Sequence, residues 1–140
     1  GLSRCHGWYQ GNGENKAGTS NDQYWSTLVS ADIILTTTLQ GPERKFLDWV
    51  WIRQAVFRYS ETMAAGTTLV AGTVDGGFPY FESGQDFVEF ESVDQCVESI
   101  LQLVNNHDLR DRIAQSGHTT LSEYVKTGLF WRDVLVAEPD

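Results

Sequence analysis

An arginine and a glutamate three positions apart, Arg58 and Glu61, open the stretch RYSETMAAG at residues 58–66. The small-residue run Met63-Ala64-Ala65-Gly66 follows, and the β-prone run TTLVAG comes directly after it without a linker. Helix N-termini leave backbone N–H groups unpaired and carry partial positive charge. A phosphate suits that position, and an arginine beside it adds charge-assisted hydrogen bonds. Glu61 cannot hold phosphate, but its two acceptor oxygens suit the vicinal hydroxyls of a ribose or hexose. Together the two side chains match a sugar–phosphate ligand better than either does alone. The plainer alternative is an i, i+3 ion pair across one helical turn, contributing ~0.2–0.5 kcal/mol. By residue type alone, the ion pair is the commoner arrangement.

The surrounding elements decide where such a pair would stand. Asp22 can cap a helix whose apolar face is Trp25, Leu28 and Val29. ADIILTTT, residues 31–38, reads as a strand covered on both faces, as parallel sheets require. Residues 43–57 fit a helix through Phe46, Val50 and Ala55, or one broken near Trp51. Ser60–Ala65 reads as helix, stopped by Gly66 in the left-handed position past its end. Strand Thr68–Ala71, a glycine-rich loop from Gly72 to Gly84 and strand Phe87–Phe90 come next.

Ser92-Val93-Asp94-Gln95 has the form of a capping box. It opens a helix with Val97, Ile100, Leu101 and Val104 on one stripe, ended by Asn105-Asn106. A further helix carries Leu109, Ile113, Leu121 and Val125 and stops near Gly128, and a last short one carries Leu129, Trp131 and Leu135. Trp25, Leu101 and Ile113 are the expected core positions. The resulting order is a loop-rich segment 1–21 with a short strand at Ser3–Tyr9, a Rossmann-like domain 22–135 and a tail 136–140. Strands alternating with helices predict an α/β fold, a mainly parallel sheet with helices on both faces. Ligands in such sheets sit beyond the carboxyl ends of the strands, where helix N-termini also face. Arg58 and Glu61 should therefore stand at that edge.

Composition narrows the chemistry. A chain of 140 residues, 41% hydrophobic with five tryptophans, is one globular domain. It starts at Gly1 rather than Met, which fits a piece of a longer polypeptide. No apolar run reaches the ~18 residues a membrane span needs, and the N-terminus has no secretion-signal pattern. Net charge −9 disfavours a nucleic-acid surface. The charge is uneven: Arg44, Lys45, Arg53 and Arg58 cluster, whereas residues 75–98 carry seven acids and no base. A small anion could bind the basic segment while polyanions are repelled; a solvated mixed face is the simpler account of the pattern. Cys5 and Cys96 lie far apart and the three histidines are scattered, so the expectation is free thiols in a reducing cytoplasm and no metal site. Gly11–Lys16 lacks the third glycine of a dinucleotide fingerprint and reads as a turn.

The order ADIILTTT, RYSETMAAGTTLVAG, SGQDFVEFESVDQCVESILQLVNNHDLRDRIAQSG resembles the C-terminal half of group 1 glycosyltransferases of the GT-B fold. It is closest to the spore-maturation type, with its R-x-x-E-x-x-A-x-G run, here Arg58 to Gly66. The likeness covers residues 22–135. It implies a nucleotide-sugar donor, with Glu61 on the ribose hydroxyls and Arg58 on the donor side, at the diphosphate. Thr62 at the helix start would offer donors to phosphate, and Thr37 and Thr38 would line the pocket. No cofactor is implied beyond the nucleoside-diphosphate sugar itself. The chain has no Asp-x-Asp motif, in keeping with metal-independent GT-B chemistry. Many superfamily members carry a second glutamate upstream, where this chain has Arg53. The acceptor-binding N-terminal domain is missing, so the isolated chain is expected to be inactive in hexosyl transfer. A non-catalytic α/β module that binds a partner protein through its acidic stretch 75–98 is the competing expectation.

Overall fold

Seven elements follow from this sequence in the computed structural model, which describes residues 21–37, 57–78 and 80–128. They are α1 (Asn21–Ser30), β1 (Ile33–Thr36), α2 (Phe57–Ala64), β2 (Thr68–Gly72), β3 (Val88–Phe90), α3 (Val93–Asn105) and α4 (His107–Lys126). The strands form one parallel sheet in the order β1-β2-β3, with Leu35 opposite Val70 and Val70 opposite Val88. The expected strand at Ser3–Tyr9, the turn at 11–16, Thr38, the segment 43–56 and the helix of Leu129, Trp131 and Leu135 lie outside the described residues.

β2 is buried at all five positions, as a central parallel strand must be. Its alternation sends Leu69 and Ala71 to one face, where Tyr59 and Met63 of α2 and Phe87 meet them. Val70 points to the other face and packs with Cys96 and Leu103 of α3 and Ile113 of α4. Helices thus cover both faces of the sheet. Burial pushes the Cys96 thiol up, away from the thiolate range of reactive cysteines.

The local signals act as their chemistry requires. Gly66 takes φ 69°, and its N–H donates to the Met63 carbonyl at 3.0 Å, closing α2. Ser92 Oγ accepts from the Gln95 N–H at 3.2 Å, while Gln95 Oε1 accepts from the Glu91 N–H at 2.8 Å. The second arm of the box therefore lands one residue upstream of the cap. Asn106 ends α3 and caps α4 through Oδ1, which accepts from the Leu109 N–H at 3.0 Å. Gly117 lies against the loop before β3, and a methyl there would run into the Asp86 carbonyl oxygen and Met63 Cγ.

The buried helix faces differ from the apolar stripes of the sequence. Among the described side chains of α1 only Leu28 is buried; Trp25 is 43% and Val29 65% exposed. In α3 the inward positions are Cys96 and Leu103, with Ile100 packed beside them, whereas Val97, Leu101 and Val104 are exposed. Ile113 is buried as expected, and Val125 is not. Trp25 and Leu101 are therefore not core residues. The inward face of α1 and of α3 is set by how each helix sits on the sheet and lies one residue away from its most apolar stripe.

Two measurements check this packing. Leu103→Ala should cost about 2–5 kcal/mol in urea denaturation, and Leu101→Ala about 0.5 kcal/mol or less; equal costs would contradict the assignment of the inward face. The second measurement concerns Tyr59, whose hydroxyl burial, aided by the Glu89 charge, pushes up from 10.0 to about 12. An unfolded chain loses that proton first, so the stability it contributes is complete below pH 10.0 and is lost as pH rises toward 12. Urea midpoints should be level up to that point and then fall, with a shallower fall in Tyr59→Phe.

Candidate donor site at the carboxyl edge of the sheet

Short connections fix the direction of α1 and α2. Only Ala31 and Asp32 separate α1 from β1, and Ala65–Thr67 separate α2 from β2, so both helices run back along the sheet. Their first turns consequently lie beside the carboxyl ends of the strands. Tyr59, in the first turn of α2, donates its hydroxyl to the carbonyl of Gly72, the last residue of β2, at 2.8 Å. That bond registers the helix against the strand end. The arrangement is the one parallel α/β sheets use for ligands.

Arg58 and Glu61 project from this turn, with side chains 28% and 31% exposed. Arg58 Nε lies 3.7 Å from Glu61 Oε2, an i, i+3 contact. A third residue joins them from α1. Tyr24 donates its hydroxyl to the same Glu61 Oε2, and its ring lies beneath the Arg58 guanidinium, 4.7 Å from Cζ to the ring centroid. Burial pushes the Tyr24 hydroxyl up to about 12; the hydrogen bond to Glu61 adds to the rise and the Arg58 charge opposes it. Both contacts of the carboxylate fall on Oε2, and Oε1 makes no hydrogen bond among the described residues.

The other expected site residues are distributed differently. Thr37 directly follows β1 and is exposed at the same edge. Thr38 lies outside the described residues. Thr62 is fully buried in the second turn of α2, and its hydroxyl donates to the Arg58 carbonyl at 2.7 Å. It therefore offers no exposed donor at a helix start, contrary to the expectation; its hydroxyl is consumed inside the helix. Tyr24 was not among the candidates. Its signal lay in its spacing to Thr27, Leu28 and Ala31, an i, i+3, i+4, i+7 set obscured by the more apolar Trp25 and Val29.

The loop after β2 borders the same edge. Thr73 is held by its N–H and Oγ1 to the Phe90 carbonyl, at 3.0 and 3.2 Å. Gly76 and Gly77 have φ of 81° and 79°, a conformation that favours glycine, in an exposed turn. Phe78 then stands edge-on to Tyr59 at 5.6 Å and stacks on Phe81 at 4.5 Å. Asp86 anchors the far end of the loop: its carboxylate accepts from the Glu82 N–H and from the Ser116 and Thr120 hydroxyls. Asp86 is thus buried in structural bonds. Among the described residues no group of acids, histidines or cysteines has the arrangement of a metal site, and no helix is long and apolar enough to cross a membrane.

Comparison with known proteins agrees with this geometry. Residues 2–127 match the family model described as glycosyl transferase-like. A sucrose-phosphate synthase from Thermosynechococcus elongatus has a similar fold, with TM-score 0.57 at 13% identity. The superposition covers 87% of this chain and 30% of the synthase, so the chain spans under a third of that protein's length. No curated protein sequence matches it. A parallel sheet with helices on both faces and a family match running nearly end to end lead to one conclusion: the chain belongs to the glycosyl transferase-like family, as a Rossmann-like piece of a GT-B fold.

Proposed function

We propose that the carboxyl edge of the sheet binds the nucleoside-diphosphate part of a sugar donor. The observation that carries this reading is the position of Arg58 and Glu61, half-exposed side by side at the start of α2, where the parallel strands end. Glu61 accepts ribose hydroxyls, and Arg58 faces the diphosphate together with the first N–H groups of α2. Thr37, exposed just past the end of β1, borders the same edge. Thr62 contributes by stiffening the turn that carries Arg58.

In the transfer this serves, an acceptor hydroxyl oxygen bonds to the anomeric carbon as the bond to the diphosphate oxygen breaks. The negative charge left on the diphosphate is the charge Arg58 and the helix N–H groups stabilise, without a metal. Placing the acceptor in line accounts for much of such catalysis. The residues placed at this edge are suited to holding the donor rather than to placing the acceptor. The buried free thiol of Cys96 suits a reducing cytoplasm.

The competing reading is a non-catalytic module that binds another protein. The exposed apolar flank of α3, where Val97 and Leu101 lie in one shallow depression with Asp94 and Glu98, favours it. Nucleotide binding separates the two. Uridine or guanosine diphosphate should raise the melting temperature of the chain, and Arg58→Ala and Glu61→Ala should each weaken binding about tenfold, the loss of one hydrogen bond to a charged group. Both variants should keep the wild-type circular dichroism. No shift with either diphosphate in the wild-type chain would favour the interaction module.

A further inference from the structure

Arg58 and Glu61 alone make a loose pair. Their 3.7 Å contact is longer than a good charged hydrogen bond, and both side chains are flexible. Tyr24 supplies what the pair lacks. It reaches across from a separate helix, donates to Glu61 Oε2 and carries the Arg58 guanidinium on its ring. Trp25 stands edge-on to Tyr24 at 5.4 Å and steadies the ring. One aromatic residue therefore holds both charges of the site.

The atom it uses matters. Tyr24 and Arg58 both address Oε2, so Oε1 is the oxygen left to accept from a ligand. We propose that Tyr24 is a positioning residue of the donor site, fixing Glu61 so that Oε1 receives the ribose 2′-hydroxyl and the site distinguishes ribose from deoxyribose nucleotides. This rests on the donor-binding reading above. A carboxylate already fixed loses little rotamer freedom when the sugar arrives, so its hydrogen bond contributes more fully to affinity. The Tyr24 hydroxyl, raised by burial from 10.0 to about 12, stays a donor even in mildly alkaline solution.

The test is calorimetric titration of the chain with uridine and guanosine diphosphates and their 2′-deoxy forms. The wild type should prefer the ribose forms about tenfold, the scale of one hydrogen bond to a charged group. Tyr24→Phe keeps the ring under Arg58 and removes only the hydroxyl. It should weaken the ribose forms about tenfold, leave the deoxy forms within about twofold, and so erase the preference. Equal weakening of both sugars would mark Tyr24 as merely structural and overturn the proposal.

An unchanged Tyr24→Phe beside a weakened Glu61→Ala would overturn the Tyr24 assignment while the donor site stands. A wild-type chain that binds none of the four nucleotides would overturn the donor-binding reading, and the Tyr24 role with it. A second readout needs no ligand: in carbon-13 tyrosine spectra, Glu61→Gln should bring the Tyr24 titration part of the way from about 12 toward 10.0. No change there would refute the contact itself.

Discussion

The bond from the Tyr59 hydroxyl to the Gly72 carbonyl sets the height of the whole site. α2 has eight residues, too few to persist as a helix on its own. It is held by burying Tyr59, Thr62 and Met63, a greasy contact with little resistance to sliding along the strand. A hydroxyl that must find an acceptor removes that freedom, because a buried donor left unpaired costs about 1–3 kcal/mol. Slipping α2 by one turn would carry Arg58 and Glu61 about 5.4 Å from the strand ends. The same bond that satisfies a buried phenol therefore places two charges at the carboxyl rim.

The device recurs at the other end of β2. Thr67 donates to the Leu28 carbonyl at 2.6 Å, joining the central strand to the end of α1. Thr68 donates to the Arg110 carbonyl at 2.8 Å, joining it to the start of α4. No buried side-chain polar atom among the described residues lacks a partner. Apolar burial drives the assembly, but these hydroxyls fix its register, since dispersion contacts are individually weak and non-directional. With α1 and α2 both fixed to β2, Tyr24 and Glu61 come within bonding reach from positions far apart in the chain.

This explains what could and could not be read from the residues. The strands, the end of α2 at Gly66 and the cap at Ser92 were legible because each depends on local chemistry. The inward faces were not. In α1 the residues turned inward are Tyr24, Thr27 and Leu28; in α3 they are Cys96, Ser99, Ile100 and Leu103. Both sets keep helical spacing but are displaced by one residue from the most apolar stripe. Hydrophobicity identifies what could be buried, whereas the docking of each helix on the sheet decides which of those side chains is. The pairing of Arg58 with Glu61 was legible because the two stand three residues apart. Tyr24 was hidden because its partners are defined only by the fold.

Charge compensation is the remaining physical problem for the proposed donor site, on a chain of net charge −9. At physiological ionic strength, charges more than about 8 Å away are largely screened. Of the acids of the 75–98 stretch, Glu89 is near enough to act on the hydroxyl of Tyr59, the residue after Arg58. The awkward neighbour is Glu61, which repels the phosphates while being wanted for the sugar. Arg58 and Tyr24 draw its charge onto Oε2, the first by Coulomb attraction and the second by a hydrogen bond. An approaching diphosphate would then meet Arg58 and the partial positive charge of the helix start, with Oε2 of the carboxylate already engaged. On this account the ion pair and the ligand site are not rival descriptions of Arg58 and Glu61, because the pairing is what makes the glutamate tolerable beside a phosphate.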